Sequence, residues 1–245
     1  MHESNIHEKL KSINMEISKE QIEKIHKVLN RVSPVDYDCG KLCGEICCLY
    51  DDEDYSNDDL LIYLLPGEKL LYENSESFEL KHFSIKEIDY PYSWKDGVYT
   101  VKCLNPPNCQ REIRPIQCRT FPLIPHIDTD NHFYLIFDDS EYPYECPLIK
   151  DNIPLNEEFI NQTYKVWRFL LKNKLIYDLV DMDSRKRENK KIKYKKIKWG
   201  KYYPHYLILI LLAILAVPYS DVMIYSPGIR LMFNLAYPSS SVTFW

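Results

Sequence analysis

Apolar residues recur at steps of three or four between residues 18 and 32, where Ile22, Ile25, Leu29 and Val32 follow Ser18 and Gln21 in capping-box positions. The pattern predicts an amphipathic helix closed by Ser33-Pro34. From Asp58 to Tyr72 the chain reads as one or two short helices, with Pro66 at the first turn of the second. GVYTVKCL from Gly97 and HFYLIFDD from His132 are rich in β-branched and aromatic residues and bounded by turn residues, so both read as strands. Between them CLNPPNCQREIRPIQCRTFPLIP carries five prolines and predicts an irregular loop held by something other than a backbone ladder. Asn156 caps a long helix whose predicted buried stripe is Ile160, Tyr164, Trp167, Leu171, Leu175 and Leu179.

These elements predict an α+β fold, mainly helical, with a small metal-centred cysteine-cluster domain, a few short strands and a long C-terminal helix. The expected divisions are an N-terminal amphipathic helix (1–38), a cysteine-cluster domain (39–150), a covering helix (151–184), a basic linker (185–201) and an apolar tail (202–245). At 245 residues, 45% of them hydrophobic, the chain is long enough for one good core and a small appendage, and its composition excludes disorder over most of its length.

Charge is divided unevenly. Residues 1–184 carry 20 Lys and Arg against 34 Asp and Glu, whereas residues 185–201 carry 10 basic residues and the single acid Glu188. An acidic body repels phosphates, so no nucleic-acid partner is expected for it. The basic strip, extended to residue 225, suits an anionic membrane surface. Tyr206 to Val217 is a run without a polar side chain, shorter than the ~20 residues of a spanning helix. The tail therefore admits three readings: a membrane anchor, a helix docked on the core, or an aberrant C-terminus. The charged start of the chain has no apolar signal segment, which predicts a cytoplasmic protein, membrane-associated if the tail anchors it.

In a reducing compartment eight cysteines point to ligands, redox groups or buried fillers rather than disulfides. Cys39, Cys43 and Cys47 follow one another at steps of four and would line one face of a helix, whereas Cys48 lies about 100° away from Cys47. Cys103, Cys109, Cys118 and Cys146 match no local zinc finger by spacing, but together with the first group they supply eight sulfurs. That is enough for two four-thiolate sites, or for one site with reserves. Zinc accepts four thiolates in a closed tetrahedral site, and a four-iron cluster also takes four cysteines. Both prefer soft sulfur ligands. Near these thiols, Glu68 reads as an oxygen ligand or as a helix cap. Arg119 reads as a donor to a thiolate or an anionic ligand, or as a salt bridge to the acidic body; Lys41 adds a second cation. His126 and His132 read as solvated loop residues.

The run DCGKLCGEICC from Asp38, LLPGE at Leu64 to Glu68 and RPIQCRTFPLIP at Arg114 to Pro125 together resemble the YkgJ-like cysteine-cluster family, described as zinc- or iron-chelating. The resemblance covers roughly Cys39 to Cys146. It implies metal chelation by Cys39, Cys43, Cys47, Cys48 and Cys118, with Arg119 and Pro122 completing the second motif. Cys103, Cys109 and Cys146 fit a longer version of the pattern. Flagellin lysine methylases look similar in having a cysteine-rich cluster with an adjacent pair, so three functions compete: metal binding, an iron–sulfur enzyme of protein modification, and a membrane-tethered adaptor. Six glycines and no glycine-rich loop argue against a dinucleotide fold.

Overall fold

The computed structural model describes residues 16–49, 61–108, 111–140, 142, 144–194 and 196–197. They combine helices and strands in an α+β arrangement. Cys109 and the apolar tail, with the anchoring it suggested, lie outside them. No helix among the described residues is long and apolar enough to cross a membrane.

Helix α1 runs Lys19–Leu29, and both halves of its capping box form: the Ser18 side chain accepts from the Gln21 amide while the Gln21 side chain accepts from the Ser18 amide. Its inner face buries Ile22, Ile25, His26 and Leu29. The expected helix between Asp58 and Tyr72 is, where described, a different structure. Ile62–Tyr63 form strand β1, and only a 3-10 turn, Glu68–Leu71, follows. Gly67 stands ahead of that turn at φ 92°, where a Cβ would meet the Ile17 carbonyl oxygen at 2.9 Å. Strand β1 pairs with β3 (Val98–Cys103), and β3 pairs on its other side with β2 (Phe78–Phe83), giving an antiparallel sheet in the order β1-β3-β2.

Part of the proline-rich segment is regular rather than irregular. Ile116–Thr120 form helix α4, and Leu123–Ile127 form strand β4, which pairs with β5 (Phe133–Phe137). Pro125 is tolerated in β4 because a two-stranded ribbon leaves one side of each strand without a ladder to supply.

The long covering helix is two helices. Helix α6 spans Glu157–Leu170, and α7 spans Lys174–Asn189. Asn173 starts the second by accepting from the Leu175 and Ile176 amides, so the chain re-enters a helix with a shifted phase. The buried stripe accordingly runs Phe159, Thr163, Val166, Trp167, Leu170 on α6 and Ile176, Val180, Ser184 on α7. Of the predicted stripe, Trp167 and Leu171 are buried, while Ile160 and Tyr164 pack at the core's edge. The main core joins α1, α4, β4, β5, α6 and α7 through residues such as Leu29, Ile116, Leu123, Leu135 and Phe159. A second cluster of Leu64, Tyr72, Phe78 and Val101 holds the three-stranded sheet.

The basic strip begins inside α7 and is stitched to the acidic body. Arg185 pairs with Asp181, Lys186 with Asp89 at 2.8 Å, Arg187 with Asp139 at 2.7 Å and Lys196 with Asp128 at 3.7 Å. These cations offset negative charge within the fold itself. Beneath them His126 is fully buried rather than solvated, its Nε2 lying 3.3 Å from Glu188 and its ring 4.3 Å from that of Tyr194. Burial, with Arg187 and Lys196 nearby, holds its imidazole below the ordinary 6.5, against the opposing pull of Glu188. The unfolded chain therefore binds the proton more readily than the folded one. Its stabilising contribution is complete above pH 6.5 and is lost as pH falls below that value toward the depressed folded pKa. Urea midpoints measured from pH 7.5 down to 5 should fall with acid, and His126→Phe, which keeps a ring against Tyr194, should flatten that slope.

Candidate metal centre

The first cysteine group does not lie on one helix. Gly44 and Glu45 take φ 65° and 62°, which ends α2 (Gly40–Cys43) and starts a new turn, α3 (Ile46–Leu49). The expectation of a single Cys39, Cys43, Cys47 face fails for that reason: the left-handed pair reverses the chain between Cys43 and Cys47. The reversal places the adjacent thiols of Cys47 and Cys48 in one short turn, with their sulfurs 3.9 Å apart. Cys39 sits at the entrance of α2, Cys118 in the middle of α4, and Cys146 at the entrance of α5 (Pro147–Lys150).

Electrostatics show which thiols share a neighbourhood. Burial raises the Cys39 thiol; Asp38, Cys43 and Cys146 add to the rise and Arg114 opposes it. Burial likewise raises Cys146, with Cys43 contributing and the Leu148 and Ile149 amides opposing. Cys47 is raised, first by its hydrogen bond with Cys48, then by burial and by Cys48, Cys118 and Cys39. Its neighbour Cys48 is lowered to about 7, first by the same hydrogen bond, with Arg114 assisting. Pairwise influences thus chain six thiols together, Cys39 with Cys43, Cys47 and Cys146, Cys43 with Cys146, and Cys47 with Cys48 and Cys118, and no disulfide joins the described cysteines. Tyr144 borders the group: burial raises its phenol, with Tyr142, Cys47 and Cys118 adding to the rise, and its ring stacks on Tyr142 at 5.0 Å. Cys103 ends β3 opposite Phe78 and packs against the second apolar cluster.

Glu68 is fully buried and joins two of the sequence motifs. One carboxylate oxygen accepts from the Leu65 amide at 2.8 Å, and the other accepts from the Ile116 amide at 2.9 Å. It caps a helix N-terminus, as one sequence reading held, but the helix is α4, which carries Cys118. His26 completes the joint: Nδ1 donates to the Glu112 carbonyl at 3.1 Å, and Nε2 lies 3.7 Å from Glu68 Oε1.

Arg119 is buried on the inner side of α4 and donates to the Asn30 side chain at the end of α1. Arg114, four residues before Cys118, is a cation that acts on Cys39 and Cys48. It opens the same RPIQC run.

Soft donors, partial burial and a nearby guanidinium suit a thiophilic metal. The sulfurs are gathered but not closed into a ligand sphere. Among the described residues, the one set with three ligand atoms within 4.8 Å of one another is Asp128, Asp130 and His132. That set is a hairpin turn by its own bonding. Asp128 Oδ1 accepts from the Asp130 and His132 amides at 3.0 and 2.9 Å, and Lys196 and Arg185 lie against the same residue. Comparison with protein families, with characterised proteins and with solved structures gave no match to this chain.

Proposed function

We propose that this protein is a metal-binding cysteine-cluster protein, holding zinc or an iron–sulfur cluster through thiolates drawn from Cys39, Cys43, Cys47, Cys48, Cys118 and Cys146. The observation that carries this reading is the electrostatic linkage of these thiols, which come from three separate stretches of chain. Thiols that repel one another as thiolates, five of them half-buried and Cys47 exposed, are a poor core and a good ligand set. Arg114 offsets part of the charge that four thiolates place on a divalent ion or cluster. The stacked rings of Tyr142 and Tyr144 border the group, with Tyr144 under the influence of Cys47 and Cys118.

When bound, zinc would supply a closed structural centre, whereas an iron–sulfur cluster would add electron transfer. In either case the chain's residues draw α2, α3, α4 and α5 to one point, so metal binding stabilises the fold of residues 39–150. Anaerobic purification followed by metal and acid-labile sulfide analysis tests the reading. Zinc without sulfide identifies a structural centre, and iron with matching sulfide a cluster. Protein with neither, though folded, would refute metal binding.

A further inference from the structure

The adjacent thiols of Cys47 and Cys48 are held as a pair by the turn that follows the backbone reversal. The Cys48 and Leu49 amides both donate to the Glu45 carbonyl, at 2.7 and 3.1 Å, and the two sulfurs lie 3.9 Å apart. A disulfide would need the sulfurs about 2.05 Å apart on Cα atoms usually about 4.4–6.8 Å apart, whereas consecutive Cα atoms stand about 3.8 Å apart. One soft atom bonded to each sulfur at about 2.3 Å, the Zn–S length, holds the sulfurs roughly 3.3–4.0 Å apart for bond angles of about 90–120°. The observed separation falls in that range, so the pair is spaced to be bridged by one atom rather than closed as a disulfide.

Among the described residues, no third Cys, His, Asp or Glu ligand atom lies within 4.8 Å of both sulfurs. A centre served by these two alone must bring its remaining ligand with it. Cys47 is exposed and Cys48 half-buried, which leaves that ligand room on the solvent side. Leu49, 44% exposed, follows the pair, and the stacked rings of Tyr142 and Tyr144 border the thiols, so an apolar substituent meets apolar surface. Trivalent arsenic bearing one organic group meets all of these conditions: it is soft, it takes two thiolates, and its third bond is already made to carbon.

We propose that Cys47 and Cys48 form a two-thiol site that captures a trivalent arsenical carrying a single aryl or alkyl group. With such a compound in its oxide form, R–As=O, the two S–H bonds and the As=O bond break and two As–S bonds form. The oxygen leaves with both protons as water. Arsenic stays trivalent throughout, so neither an oxidant nor a reductant takes part. The site goes beyond metal binding, since it calls on two thiols where a closed zinc site or a four-iron cluster calls on four.

Phenylarsine oxide, added in equal amount to the reduced full-length protein before and after chelator treatment, tests it by intact mass and by titration of free thiols. In the chelator-treated protein one phenylarsenic group should add per chain, with the loss of two thiols. Cys47→Ser and Cys48→Ser should each weaken capture about a hundredfold or more, measured by competition with dimercaptopropanol, because the second As–S bond is made within the molecule. Cys39→Ser should leave capture unchanged. Inorganic arsenite, which takes three sulfurs, should bind more weakly than phenylarsine oxide. No adduct after chelator treatment, unchanged capture in folded Cys47→Ser or Cys48→Ser protein, loss of capture in Cys39→Ser, or arsenite bound as tightly as phenylarsine oxide would overturn the proposal. Metal analysis of the same preparations decides the metal reading separately: capture by a protein that never holds zinc or iron supports the arsenical site and refutes metal binding, and metal without capture does the reverse.

Discussion

Replacing Cys39 and Cys43 together by serine is expected to remove most of the bound metal and to lower the melting temperature in the same preparation. Loss of residues that merely orient a metal ligand costs ~10–100-fold in affinity, so losing two ligands should exceed that range. Binding energy and folding energy are coupled in sites of this kind, amounting to about 10–16 kcal/mol for structural zinc in small peptides. The two effects should therefore appear together. Metal content is read by elemental analysis and stability by thermal unfolding, each with and without chelator. Wild type treated with chelator should fall toward the melting temperature of the double variant, and the variant should be indifferent to chelator. Unchanged metal content in the double variant would remove both residues from the site.

The second large effect belongs to Glu68, a residue that touches no thiol. Glu68→Ala deprives two buried amides, Leu65 and Ile116, of their acceptors. An orphaned buried donor costs about 1–3 kcal/mol, so the loss of two acceptors should be roughly 2–6 kcal/mol before any cavity term. That is a large part of the ~5–15 kcal/mol by which domains are usually stable. Because Ile116 opens the helix that carries Cys118, metal affinity should fall as well. Glu68→Gln keeps one accepting oxygen and turns an NH2 group toward the other amide, so its loss should be smaller. Urea unfolding of the three proteins would rank them wild type, Gln, Ala in falling stability; an alanine variant as stable as wild type would show that the joint carries no energy.

The dependence of a cysteine helix on a distant glutamate gives LLPGE and RPIQC a physical reason to occur together. Leu65 and Glu68 close one end of the joint, and Ile116 closes the other. Either stretch read alone looks like a turn with an acidic residue or a loop with a cysteine. The hydrogen bond that relates them spans 48 positions of sequence. Sequence spacing holds no term for such a contact, which is why Glu68 carried two readings until the fold decided between them.

Local patterns were legible where the deciding forces were local. The capping box of Ser18 and Gln21, the helical spacing of Ile22, Ile25 and Leu29, and the aromatic and β-branched runs of β3 and β5 all announced their elements. Strand β2 went unforeseen because FELKHF alternates weakly and is held by pairing with β3. The break between α6 and α7 was announced only by Asn173, a single residue within a continuous apolar rhythm, and an Asn cap outweighed that rhythm.

For the cysteines, the sequence was enough to establish donor type and number: eight thiols, including an adjacent pair. Tertiary structure decided which of the described thiols share a neighbourhood, because backbone reversal at Gly44 and Glu45 and the docking of α4 and α5 are long-range results of packing. It also turned Arg119 inward to the Asn30 side chain, since a side chain's direction depends on the helix face that the core selects. Composition sets what a chain can ligate; the burial of Ile116, Leu123 and their neighbours sets where the ligands meet.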